Sequence, residues 1–147
     1  MTFPPLPTLL LTLVTVLLWG LIPIIDKLAL NHQATSPLLG ITIRACAVAV
    51  LALPALALSG NGWQALRQVP PSALALFAAS GIVSLLLAQY TYYALLKQAD
   101  VSRLFPFLFA AAPVVTMVLG VVYLGETWRA RQVLGAILVI LGGILLL

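Results

Sequence analysis

The sequence predicts an all-α membrane protein, a single domain over residues 1–147 with five transmembrane helices. Three observations predict it. Hydrophobic residues make up 63% of the chain and charged residues 7%, and the mean hydropathy is +1.19. A soluble domain carries about 25% charged residues, so this chain has too few polar residues to clothe a globule. Its apolar residues also gather into runs of roughly the 20 residues that a helix needs to cross a bilayer core at about 1.5 Å per residue. Finally, the breaks between runs are short and polar, with turn residues such as Asn31, Gly60-Asn61-Gly62, Pro70-Pro71 and Gly125-Glu126. Lipid offers the backbone no hydrogen-bond partner, so each run satisfies its amides internally, as a helix.

Taken in order, residues 1–7 form a cap broken by Pro4, Pro5 and Pro7, and the first span covers residues 6–30. At about 100° per residue, Thr8, Thr12, Thr15, Trp19 and Asp26 fall on one narrow stripe. Pro23 lies just off it and kinks the helix. The stripe either lines a cavity, or its hydroxyls bond back to their own helix and pack on a neighbour. Residues 31–36 are a loop, and Ser36-Pro37 is a helix start, since Ser caps and Pro suits the first helical position. The second span covers residues 37–58. Arg44 lies about two turns inside it, where a charge in lipid is paired, contacts substrate or snorkels to the headgroups.

Residues 59–71 form the longest loop, with a turn at Gly60-Asn61-Gly62; Trp63 and Arg67 suit the headgroup zone. The third span covers residues 72–96. Ser80, Ser84 and Thr91 share a face with Tyr92 at its edge, and Gln89 and Tyr93 form a second polar face. Two polar faces imply a helix surrounded by protein or lining a cavity. Tyr90, Tyr92 and Tyr93 also suit an interfacial aromatic belt. The fourth span covers residues 102–124 and is bent at Pro113, which leaves a carbonyl unpaired. After the polar break at residues 125–129 the fifth span covers residues 128–147. Gly135, Val139, Gly142 and Gly143 offer a small-residue surface on it, of the kind that lets helix backbones approach in lipid. That makes them candidates for dimer or helix packing.

The same residues exclude several functions. The formal net charge is +4, but the basic residues are scattered singly between apolar runs. They read as interfacial anchors and not as a nucleic-acid surface. Cys46 is the one cysteine and lies in an apolar run, so no internal disulfide forms. His32 is the one histidine. No metal site and no cofactor is expected. Zinc-protease, paired intramembrane Asp and Ser/His patterns are absent, so the chain is not expected to be an enzyme. The first run lacks a basic n-region and exceeds the about 7–15 residues of a signal h-region, so it is kept as a span.

Several of these residues also carry a family resemblance. The cluster Ala110 to Pro113, the apolar run into Gly125-Glu126, then Gln132, Gly135, Gly142 and Gly143 resemble the end of an EamA domain, the repeat unit of the drug/metabolite transporter superfamily. Trp19-Gly20, Asp26-Lys27 and the early Arg44 resemble its beginning. The pattern covers nearly the whole chain, once. Many such proteins carry two repeats of opposite topology, so the resemblance implies one five-helix repeat of an inverted-repeat transporter, or part of a longer two-repeat chain. It also implies an integral, multi-pass protein of a bacterial inner membrane.

Five spans put the two ends on opposite sides. The N-terminal side receives Arg67, Arg129 and Arg131; the other receives Lys27, Lys97 and Arg103, with Arg44 too deep to count. Orientation follows a Lys/Arg bias between loops, and here there is none. Two copies in opposite orientation recreate the inverted-repeat plan. The expected assembly is therefore an antiparallel homodimer with a shared cavity, passing a small-molecule substrate; alternatives are a heterodimer with a second half-size chain, a non-conducting accessory subunit, and a translocase for lipid-linked substrates. The candidate substrate-lining residues are Thr12, Thr15, Trp19, Arg44, Ser80, Ser84, Thr91, Tyr92 and Pro113. Asp26, Asp100 and Glu126 all sit near span ends. Small multidrug exporters of the superfamily use a Glu within the first helix, and this chain has none there. Facilitated passage of a neutral or amphipathic metabolite is expected in place of proton coupling through a central carboxylate.

Overall fold

Apolar runs bounded by Pro, Ser and Gly become long helices in the computed structural model, which describes residues 6–32 and 35–146. Of the proline cap expected over residues 1–7, Leu6 and Pro7 belong to the first helix instead; residues 1–5, part of the loop before Ser36, and Leu147 lie outside the described residues. Among the described residues six helices follow one another: α1 Leu6–Leu30, α2 Pro37–Leu58, the short α3 Gly62–Gln68, α4 Pro71–Gln98, α5 Val101–Leu124 and α6 Ala130–Leu145. No strand occurs among the described residues. Four helices, α1, α2, α4 and α5, are long and apolar enough to cross a membrane. The fifth apolar helix, α6, has 16 residues.

Local chemistry explains the boundaries. Ser36 Oγ accepts the Leu39 amide at 3.1 Å, and Pro37 opens α2 at a position whose missing N–H costs nothing. Pro71 opens α4 in the same way. Residues 59–71, expected as loop, contain α3: Trp63 to Gln68 are ordinary helix formers that the flanking Gly and Pro residues hide from a sequence reading. α5 ends at Gly125, whose backbone is left-handed at φ 67°, a conformation that glycine adopts without a Cβ penalty. The chain then stays non-helical to Arg129, so α6 begins at Ala130 and not at residue 128 as expected. The Gln132 side chain accepts the Arg129 amide at 2.9 Å and fixes that start.

α4 is not uniform. Residues Ile82–Ala88 are π-helical between two α-helical stretches. No Pro or Gly lies inside that segment to foretell it.

The Cα positions group into two compact units: residues 1–24 with 98–147, and residues 25–97. In the first unit, α6 packs on α5 through Gly143. A Cβ there would stand 2.7 Å from the Ala110 Cβ, so only a hydrogen fits. The Trp128 indole folds back and donates to the Met117 carbonyl at 3.2 Å, tying the turn to α5. In the second unit, Tyr93 and Leu96 of α4 and Ile41 of α2 are buried. Elsewhere the helices are uncovered: at most 11% of any spanning window is buried within the chain. Helices that are apolar all round and uncovered by their own chain need lipid or a partner.

Candidate functional site

A carboxylate is the centre of the second unit. Asp26 lies on α1 one turn before its end and is only 9% exposed. Three donors from two other helices converge on it. The Tyr93 hydroxyl of α4 donates to Oδ1 at 2.8 Å. The Arg44 guanidinium of α2 and the Gln89 amide of α4 both reach Oδ2 at 3.4 Å. At about 1.5 Å per residue the four side chains lie roughly 6–14 Å inside their helix ends. A buried carboxylate there is tolerable only because a cation and two neutral donors compensate its lost hydration.

The surroundings reinforce the cluster. Gly40 of α2 leaves room for the Tyr93 ring: a Cβ at Gly40 would stand 3.0 Å from the ring edge. Lys27 donates to the Leu96 carbonyl, and Lys97 to the Thr35 carbonyl, so two lysines pin the same end of this helix set. Tyr92 packs beside Tyr93 with ring centroids 5.9 Å apart. Its hydroxyl is buried and has no hydrogen-bond partner.

The residues expected to line a route fall into three groups. Thr12 and Thr15 are exposed, and both hydroxyls bond back to carbonyls four residues earlier at 2.8 Å. Trp19, also exposed, meets Phe109 of α5 edge-on at 5.6 Å. Pro113 is exposed on α5, which runs through it unbroken. Arg44 alone joins the carboxylate cluster, with Tyr92 at its margin. Ser84 donates to the Ser80 carbonyl at 2.7 Å, and Thr91 donates to the Ala88 and Leu87 carbonyls at 2.9 and 3.3 Å. Ser80 and Thr91 thus flank the π-helical segment, and Ser84 lies within it.

Of the small-residue surface, Gly143 is the member used inside the chain. Gly135 and Gly142 have nothing within 4 Å of where a Cβ would stand, and Val139 is 47% exposed. Gly142 and Gly143 are one residue and about 100° apart, so they serve different neighbours. Among the described residues no group of His, Cys, Asp and Glu could hold a metal ion.

By sequence alone Asp26 and Glu126 are acids near span ends. The Asp26 cluster is not legible there because its members lie 18, 63 and 67 residues from Asp26 in sequence. Glu126 has a specific place too: its carboxylate folds back over Gly120, with Oε2 2.7 Å from where a Cβ would stand. The Gly-Glu pattern thus joins a left-handed helix end to a side chain that needs a bare backbone beneath it.

The hairpin closed at Gly125-Glu126 is the arrangement that the sequence resemblance implied, whereas the part-buried Asp26–Arg44 pair that joins the preceding helices was not expected. The sequence profile of the EamA-like transporter family matches residues 6–147. The chain belongs to this family. It is an integral, multi-pass membrane protein, and its family is one of transporters and not of enzymes. No curated protein and no solved structure matches the chain.

Proposed function

We propose that this EamA-family chain is a half-transporter that moves small metabolites as an antiparallel homodimer in a bacterial inner membrane. The observation that carries the reading is the near-complete exposure of its apolar helices in a chain that matches the family once, over residues 6–147. A polar route through lipid needs walls on all sides. Balanced basic residues on the two sides of the membrane favour insertion in both orientations.

In each copy, Thr12, Thr15, Trp19 and Pro113 of the first unit and Arg44, Ser80, Ser84, Thr91 and Tyr92 of the second are the proposed solute-facing residues. Only one Arg44 nitrogen, Nη1, is engaged by Asp26, which leaves other donors of the guanidinium for an anionic group on a substrate. Gly135, Val139 and Gly142 are the proposed dimer surface: the two glycines have open space where a Cβ would stand, and Val139 is half-exposed.

Purified protein reconstituted in liposomes and screened against amino acids, sugars and nucleosides tests the reading. Saturable uptake of at least one class is expected. Liposomes that take up no more of any solute than empty ones would leave the protein a non-conducting subunit.

A further inference from the structure

Three observations on α4 converge. Residues Ile82–Ala88 are π-helical. Immediately beyond them come Gln89 and Tyr93, both bonded to Asp26. Beside Tyr93 stands a second tyrosine, Tyr92, whose buried hydroxyl has no partner. We infer that the π-helical segment is a register switch, and that Tyr92 is the alternative hydrogen-bond donor to Asp26.

The geometry sets what the switch does. A π segment holds one more residue than an α-helix would place over the same lattice of positions, because its bonds run from i to i+5. Every residue after it therefore sits one lattice position behind. Conversion of the segment to α-helix advances residues 89–98 by one position, which is a rotation of about 100° and a rise of about 1.5 Å. Tyr92 then arrives where Tyr93 now stands. Ala88 arrives where Gln89 now stands, and Tyr93 turns away. Asp26 keeps a phenol and Arg44 but loses its amide donor.

Two details favour such a switch over a fixed irregularity. The slot beside Gly40 accepts a tyrosine ring, and adjacent tyrosines fill it in both registers. The carbonyls at the ends of the π segment also carry spare donors: Ser84 on Ser80, and Thr91 shared between Ala88 and Leu87. Hydroxyls at these places hold backbone acceptors while amide partners change. π-bulges recur inside helices at functional sites. The device rests on the transport reading only for its purpose, since its existence is a property of residues 25–97.

Fluorine NMR of the full chain in detergent micelles, with a fluorotyrosine at position 92, tests the switch without any transport assay. Tyr93→Phe removes the phenol that holds the present register and leaves Tyr92 as the only one able to reach Asp26. Loss of one hydrogen bond to a charged group shifts a two-state equilibrium on the order of tenfold or more. The Tyr92 resonance should move in Y93F toward that of a hydrogen-bonded phenol. Deletion of Leu86 removes the extra residue and locks the present register, so in the deletion background Y93F should leave the resonance where it was. A Tyr92 signal unchanged by Y93F in the intact chain, or one that moves equally with Leu86 deleted, overturns the switch. Thermal unfolding gives a second reading: Y92F with Y93F should cost more than the sum of the two single changes, and strict additivity contradicts the exchange of donors.

Discussion

In residues 25–97 the helices are joined by charged and polar side chains; in the α5–α6 hairpin they are joined by the absence of side chains. The first set converges on Asp26, with Arg44, Gln89 and Tyr93 reaching it from α2 and α4. The second rests on Gly143, seated on Ala110, and on the turn closed by Gly125 and Trp128. Lipid tails are as apolar as leucine, so burying leucine between helices gives little drive for pairing. A membrane chain therefore uses polar bonds that lipid cannot replace, or close backbone approach that increases dispersion contact. This chain separates the two devices. The polar set carries an unused phenol and a π-helical segment; the close-packed set shows neither. Polar pins can exchange partners, whereas a glycine seat fits in one way only.

Removing Asp26 should give the largest effect. Asp26→Ala leaves Arg44 without its counter-ion and two neutral donors without an acceptor. Breaking a buried pair costs about 3–5 kcal/mol, and the lower end applies because Arg44 is a third exposed. Thermal unfolding in detergent should show the loss, and Arg44→Leu should destabilise as well as impair transport. If D26A melts like the wild type, the polar set does not hold residues 25–97 together. Tyr93→Phe comes next, at about 1.5–3 kcal/mol for a hydrogen bond to a charged group, with part recovered if Tyr92 replaces the lost donor.

Neighbouring glycines sharpen the contrast within the hairpin. Gly143→Ala places a methyl 2.7 Å from the Ala110 Cβ and should cost about 1–3 kcal/mol as overpacking. Gly142→Ala meets nothing and should be neutral or stabilising by up to about 1 kcal/mol through helix propensity. Equal effects at the two positions would dissolve the distinction between the inward and the open face. Gly142→Trp should abolish the proposed dimer while leaving the monomer's helicity, by circular dichroism, unchanged. The smallest stability effects should come from Thr12→Val and Thr15→Val, within about 0.5 kcal/mol because both sites are exposed. A severalfold loss of transport is expected in the same variants. Unchanged transport would remove both from the route.

The helical class was legible because composition and run length answer to lipid, which imposes one backbone solution. The hairpin turn was legible too, since Gly125-Glu126 interrupts two apolar runs. α3 was not, because Gly and Pro on either side of Trp63–Gln68 give a loop signal stronger than its short helical content. The Asp26 cluster was half visible. The sequence puts Arg44 where a charge needs a reason, but partners on other helices leave no periodic trace along the chain. The π-helical segment was invisible, since residues 82–88 read as unbroken apolar helix. Its only mark is the position of Ser80, Ser84 and Thr91, which share one face of the helix.

The central claim, a half-transporter completed by an inverted copy of itself, is tested most directly by orientation. A single cysteine introduced near the C-terminus, in a Cys46→Ser background, can be labelled in intact cells with a membrane-impermeant reagent and again after permeabilisation. The account predicts that about half of the molecules label from outside, the share that an antiparallel homodimer requires, and that crosslinked dimers pair a labelled copy with an unlabelled one. Labelling of all molecules from one side only, in protein that still transports as a single species, contradicts it.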